Sequence, residues 1–209
     1  VGGAEEGLQE GNITLKQTTW SNNRANITLS TSTNFMIQYK EGSSGTWTPA
    51  SYTSSAAGQD VQVTGLAHNT IVYARLMDDA GNTGSEASVT IQDGIAPNAA
   101  TISLGSTSTT TGTAITATVT HTDNESGVAT ANSKYIYNTT SGNLGTTNAL
   151  WDTATSFSSN PEPLTLSAST PGTYFLHVLT VDKAGNRTEK TSEAVTVVIP
   201  TPLLSTVTT

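Results

Sequence analysis

Apolar residues in this chain recur at every second position, in short runs punctuated by Gly, Pro, Asn and Ser. A period of two is the signature of a half-buried β-strand. In GNITLKQ (11–17), Ile13 and Leu15 alternate with polar neighbours, and RANITLSTST (24–33) puts Ala25, Ile27 and Leu29 on one face. NFMIQYKEG (34–42) carries Phe35, Ile37 and Tyr39 on one face and Met36 on the other. TWTPAS (46–51) reads as an edge piece, because Pro49 has no N–H to give to a ladder. QDVQVTGL (59–66), TIVYARLMD (70–78) and SEASVTIQD (85–93) complete the first series, with 70–78 the most apolar and so the expected central strand. Short strands with closely spaced turn signals predict a β-sandwich.

DGIAPNAAT (93–101) interrupts the pattern with Gly94 and Pro97, and a second series then begins. It runs through ATISLGS (100–106), TAITATVTHTD (113–123), NSKYIYN (132–138), EPLTLSAS (162–169), GTYFLHVLTVD (172–182) and EAVTVVIP (193–200), with NALWDT (148–153) as a loop or short edge element. The loops at 121–131 and 138–160 are longer than any in the first series. The reading is a tail or worn helix end at 1–10, a sandwich at 11–93, a linker at 94–98, a second sandwich at 99–200 and a tail at 201–209. No helix-period stretch of useful length occurs, so the fold class is all-β with two sandwiches in tandem.

Two segments nearly repeat. DDAGNTGSEASVTI (78–91) is echoed by DKAGNRTEKTSEAVTVV (182–198), which aligns Asp78 with Asp182 and Asn82 with Asn186. Each follows an apolar strand and precedes another, so each marks a hairpin turn, where Gly and Asn accept positive φ and the Asp can take turn N–H groups.

Composition narrows the role. Sixteen acids against eight bases give a net charge of −8, and no Lys/Arg run occurs. Phosphate contacts dominate nucleic-acid affinity, which excludes nucleic acid as the expected partner, and anionic membrane surfaces are disfavoured likewise. No apolar stretch is long enough for a membrane span. Absence of cysteine removes disulfides and thiolate chemistry. Charged residues are only 11% of the chain, which leaves neutral Ser, Thr and Asn to solvate the strand faces.

Catalytic vocabulary is sparse. There is no G-x-S-x-G stretch and no Gly-rich phosphate loop. His68, His121 and His177 stand alone in sequence, without metal-ligand spacing. Oxygen donors do cluster: Asp123, Asn124 and Glu125 share a loop, Asp182 and Asn186 share another, and Asp93 and Asn98 flank the linker. Ca²⁺ takes six to eight such oxygens, so Asp123, Asn124, Glu125 and Asp182 are the calcium candidates, against a reading as solvated turn residues. Trp20, Trp47 and Trp151 are either packing anchors or, if exposed, platforms for stacking on sugar rings.

VYARLMDDAGNTG and YFLHVLTVDKAGNRT resemble the penultimate strand and turn of bacterial immunoglobulin-like and fibronectin-type-III-like domains. In TGLAHNTIVYARLMD, Leu66 and Thr70 match the fibronectin-type-III pattern, while Val72 stands where that family has Tyr and Tyr73 lies beside it. DNESGVAT (123–130) resembles the D-x-x-S-G-V loop of bacterial surface immunoglobulin-like repeats. GNITLKQTTWSNNRANITLSTSTNFMIQYK and the GTW that follows are similar to β-domains of pilin-like and other surface proteins of Gram-positive gut bacteria, a resemblance that spans roughly residues 5–93 and implies that AEEGLQEG is the end of a preceding helix. These resemblances imply an extracellular, non-enzymatic stalk, spacer or adhesion module, whose partner would be a host or bacterial surface glycan or protein. The rival expectation is a carbohydrate-binding or accessory module of a secreted enzyme, which coplanar exposed Trp rings would favour.

Overall fold

A computed structural model describes residues 7–18, 20, 23–56 and 58–202. The tails read at 1–10 and 201–209 therefore lie outside the described residues over 1–6 and 203–209. The chain divides into two compact units, residues 1–95 and 96–209. Among the described residues there are strands and three-residue or four-residue 3₁₀ turns, and no helix long and apolar enough to cross a membrane.

The first unit is two three-stranded antiparallel sheets. Strands β1 (Thr14–Gln17), β2 (Ala25–Ser30) and β4 (Val61–Leu66) form one, in the order β1-β2-β4. Strands β3 (Met36–Glu41), β5 (Ile71–Met77) and β6 (Ala87–Thr90) form the other, in the order β3-β5-β6. The alternation predicted for 24–33 and 70–78 is what fills the space between them: Ala25, Ile27 and Leu29 from β2 meet Val72, Ala74 and Leu76 from β5, all fully buried. The sandwich edge between β1 and β6 is joined by a side chain. Gln17 Nε2 donates to Gln92 O at 2.6 Å, and Gln92 N donates back to Gln17 Oε1 at 2.9 Å, so one amide group takes the place of a peptide unit.

The 46–51 edge piece is less than a strand. Tyr39 and Thr48 exchange backbone hydrogen bonds of 2.9 and 2.8 Å as an isolated bridge. Its work is to cover the outer face of β3. Gln38 there is fully buried, its Nε2 donating to Pro49 O at 2.7 Å and its Oε1 accepting from Arg75 Nε at 2.8 Å.

In the second unit, β7 (Thr101–Leu104), β9 (Ile115–Thr120) and β12 (Glu162–Leu166) make a sheet of order β12-β9-β7. The facing sheet is built on β13 (Gly172–Val181), the longest strand. On one side β13 pairs with β10 (Lys134–Asn138), which pairs in turn with the two-residue β11 (Thr155–Ser156). On the other side β13 pairs first with β15 (Val195–Val198) and, further along, with β14 (Arg187–Thr191). β15 also runs parallel to β8 (Ser108–Thr110). Residues 148–153 form a 3₁₀ turn over Ala149–Asp152 and not an edge strand. β8, β11 and β14 have no apolar alternation (STT, TS and RTEKT), and so lack the pattern from which strands are read in sequence.

β13 is buried on both sides over Leu176–Val181. Leu176 and Val178 face the sandwich core with Ile115, Ala117, Val119, Phe157, Leu164 and Val195. His177, Leu179 and Val181 face outward, where the residues after β10 fold back as a strap. Trp151, 2% exposed, packs on Leu179 and Val181 with Ile136, Leu144 and Ala154 around it. Leu176→Ala is expected to lower unfolding free energy by about 2–5 kcal/mol, the range for a Leu cavity in a tight core. Thr165→Ala, on the exposed face of β12, should change it by about 0.5 kcal/mol or less. Urea unfolding followed by circular dichroism reads both, and equal effects would contradict the assignment of faces.

Candidate metal centre

The repeated turn has the same construction in both units. Asp182 Oδ1 accepts from Asn186 N at 2.8 Å and its Oδ2 from Asn186 Nδ2 at 2.8 Å. Asp78 Oδ1 accepts from Ala80 N at 3.1 Å and Asn82 N at 2.8 Å, and its Oδ2 from Asn82 Nδ2 at 2.8 Å. Gly81 (φ +86) and Gly185 (φ +92) supply the left-handed residue that closes each turn. The Asn82 side chain, with the turn amides, holds the Asp78 carboxyl below its ordinary pKa. The difference is burial: Asp78 is half-buried, whereas Asp182 is 1% exposed.

The D-x-x-S-G-V loop docks on that buried turn. Asp123 Oδ2 accepts from Gly127 N at 2.6 Å and from Ser126 N at 3.0 Å, and Gly127 takes a φ of +84. Gly127 O accepts from Lys183 N at 2.8 Å, and Val128 bridges to Asp182. This brings carboxylate oxygens of Asp123 and Asp182, 59 residues apart in sequence, within 4.8 Å of each other. Asp123 Oδ1 is buried and has no hydrogen-bond partner among the described residues. Neither acid has a Lys, Arg or His partner within ion-pair distance among them. Oxygens that close can share one cation, since Ca²⁺ takes carboxylate oxygens at about 2.3–2.6 Å. Of the other sequence candidates, Asn124 is exposed and Glu125 half-buried in the same loop. Asp93 lies in the first unit, its Oδ1 accepting from Ile95 N at 2.8 Å, and Asn98 N donates to Thr122 O. Two carboxylates supply fewer than the six oxygens Ca²⁺ takes, so a bound ion would keep water or recruit the loop.

Beside this pair lies an open polar depression of ≈ 550 Å³, with Asp123, Asn124, Ser158, Ser159 and Asn160 on its walls. His121 lines it, a residue that stands alone in sequence because nothing near it in the chain is a partner. Its Nδ1 is 2.7 Å from Thr180 Oγ1, and its ring meets Phe157 edge-on at 4.4 Å. Asn160 holds the His121 backbone by both its N–H and its C=O, at 2.9 Å each. Burial pushes the His121 pKa below the ordinary 6.5, and the Glu162 carboxylate pushes it partly back.

The three Trp rings are all engaged. Trp20 is half-buried on the first core and its Nε1 donates to Gln92 O at 2.8 Å. Trp47 is half-buried, its ring centre 4.1 Å from the Arg75 guanidinium carbon and 4.5 Å from Lys40 Nζ. Trp151 is buried, and its Nε1 donates to Gly145 O at 2.8 Å.

No family model matches the chain, and no curated protein matches it. Solved structures do show likeness. The Clostridium thermocellum CbhA fibronectin(III)-like modules align at 13% identity and a TM-score of 0.34, over 90% of this chain and 93% of that one. The D00-D0 domain of intimin aligns at 20% identity and 0.32, over 89% and 99%. The adhesin InvE of Yersinia pseudotuberculosis aligns at 16% and 0.35, over 91% of this chain and 60% of that one. At such identities and scores no function passes from one protein to another.

Two outcomes are expected. A hard cation on the Asp123–Asp182 pair raises the melting temperature by a few degrees, roughly 2–8 °C, between chelator and millimolar Ca²⁺, and Asp123→Asn abolishes the difference. Superimposable wild-type melting curves would remove a cation from the pair. Separately, His121 has a folded pKa below its unfolded one. The stability of its neutral form is therefore complete above pH 6.5 and is lost as pH falls through the folded value. Melting temperature should drop on acidification from about pH 7 to about pH 5, and His121→Gln should flatten part of that slope; an unaltered slope would acquit His121.

Proposed function

We propose that this chain is a non-enzymatic module of a bacterial cell-surface protein, serving as a stalk, spacer or adhesive segment outside the cell. The observation that carries this reading is that its three Trp rings and its two His–Thr contacts are engaged in its own packing. Among the described residues an imidazole meets a hydroxyl at Thr180 with His121 and at Thr191 with His177, and in each pair one partner, Thr180 or His177, is fully buried and so out of reach of a substrate. A nucleophile must be reachable to act. Trp20 and Trp47 are covered on their polar or π-faces by Gln92, Arg75 and Lys40, and Trp151 is inside. That argues against the ring platform a carbohydrate-binding module needs.

Strand faces of Ser, Thr and Asn stay solvated at low charge, and antiparallel ladders resist extension, both of which suit a spacer. Absence of cysteine is compatible with an exported protein held by its two cores alone. The pilin-like, Gram-positive setting rests on the resemblance over roughly residues 5–93 alone.

The reading is tested at two levels. Protease shaving of intact cells that express the parent protein is expected to release peptides of this chain; recovery only after lysis would overturn the location. On an array of immobilised glycans and matrix proteins, run with and without Ca²⁺, no glycan should be retained. Glycan retention that Trp47→Ala abolishes would instead establish the carbohydrate-binding alternative.

A further inference from the structure

Besides the apolar anchor of Trp151, the strap of residues 139–154 is held over the outward face of β13 by charged and hydroxyl side chains from the strands beneath. Glu189 of β14 accepts from Leu144 N at 2.6 Å through Oε1 and from Gly145 N at 2.7 Å through Oε2. Thr191 Oγ1 donates to Asn143 Oδ1 at 2.8 Å, Arg187 donates to Thr146 O at 3.3 Å, and Lys134 Nζ donates to Trp151 O at 2.8 Å. At the centre is His177, fully buried, and the Glu189 side chain is 2% exposed.

We propose that the strap is a pH-sensitive cover: protonation of His177 draws Glu189 away from the Leu144 and Gly145 amides and frees the strap from the apolar face of Leu179, Val181 and Ile136.

The geometry assigns the proton in the closed state. Nε2 faces Thr140 O at 3.0 Å and Asn138 Oδ1 at 3.1 Å, and that Oδ1 already accepts from Thr140 N. Both neighbours are acceptors, so Nε2 carries the hydrogen and Nδ1 is the basic nitrogen. Nδ1 lies 3.1 Å from Thr191 Oγ1, whose single hydrogen goes to Asn143 Oδ1, and 3.7 Å from Glu189 Oε1, the oxygen that holds Leu144, so both neighbours of Nδ1 present lone pairs to it. Once Nδ1 is protonated, that carboxylate is its strongest acceptor, because both partners are then charged. The imidazolium thus competes with the strap for one oxygen.

The surroundings offer few other charges. Lys134 of β10 and Arg187 of β14 are committed to strap carbonyls, and Asp152, the ionisable side chain of the strap, is exposed. Burial pushes the His177 pKa below 6.5, while the Thr140 carbonyl and Glu189 push it up. The folded value lies below the unfolded one, so the closed strap is favoured above pH 6.5 and loses that advantage as pH falls. Opening hydrates the imidazolium and so relieves the cost of burying it.

Amide hydrogen exchange by NMR on the full chain tests this, with rates corrected for intrinsic pH dependence. Protection of Leu144 and Gly145, relative to Leu176 and Val178, is expected to fall roughly tenfold from about pH 7.5 to about pH 5.5. His177→Gln should remove the change. An unchanged ratio, or the same fall in the variant, would overturn the proposal. Ring-carbon shifts of His177 in the unaltered protein give a readout that does not depend on the variant folding: titration below 6.5 in step with the loss of protection supports the cover, and a ring charged at both pH values defeats it.

Discussion

Alternate burial along the two central strands, β5 and β13, is the constraint from which the remaining structure follows. A strand that contributes every second residue to a sandwich must send the intervening residues to the other side. In β5 the inward set is Val72, Ala74 and Leu76, and in β13 it is Leu176 and Val178. The outward sets are covered in part. Arg75 lies under Trp47, and Leu179 and Val181 lie under Trp151. Each unit therefore carries a cover over the outer face of its central strand, anchored by one Trp. The Trp indole that is fully buried satisfies its N–H on Gly145 O, as a buried donor must.

Neutral amides and carboxylates take over where ladders stop. Gln17 exchanges two bonds with the backbone of Gln92, and Asn160 does the same with His121. Glu162 accepts from Ser158 N and Ser159 N, which depresses its pKa, and Glu189 accepts from Leu144 N and Gly145 N. Each satisfies backbone groups that no strand reaches, and unpaired buried backbone is expensive. This is a coherent use for the Asn, Gln and Ser content of a chain with few charges.

The Asp182 turn shows how one local device acquires a second meaning from its surroundings. In the first unit the same Asp–Asn clasp is half-buried and ends at the turn. In the second, the Asp123 loop settles on it and brings a second, half-buried carboxylate beside the buried Asp182. Carboxylates in such a place require a compensating partner or bear a cost. The clasp itself is indifferent to this; the loop decides it.

Periodicity alone placed the principal strands and their inward faces, because Ala25, Ile27, Leu29 and Ile115, Ala117, Val119 alternate where only a pleat can use them. The AGN turns were legible for a similar reason, since Asp, Gly and Asn at fixed offsets form their bonds within five residues. Three things were invisible. β14 (RTEKT) and β8 (STT) carry no apolar alternation, and they are strands because β13 and β15 offer them backbone partners. The strap looked like a long loop, since Trp151 and Leu144 find their apolar partners on β10 and β13 only after those strands have paired. His121 and His177 read as isolated residues because Thr180, Glu189 and Asn138 are remote in sequence. Local pattern encodes which way a side chain points; the tertiary fold alone chooses what it then touches, because those contacts join residues that only sheet pairing and loop return bring within reach.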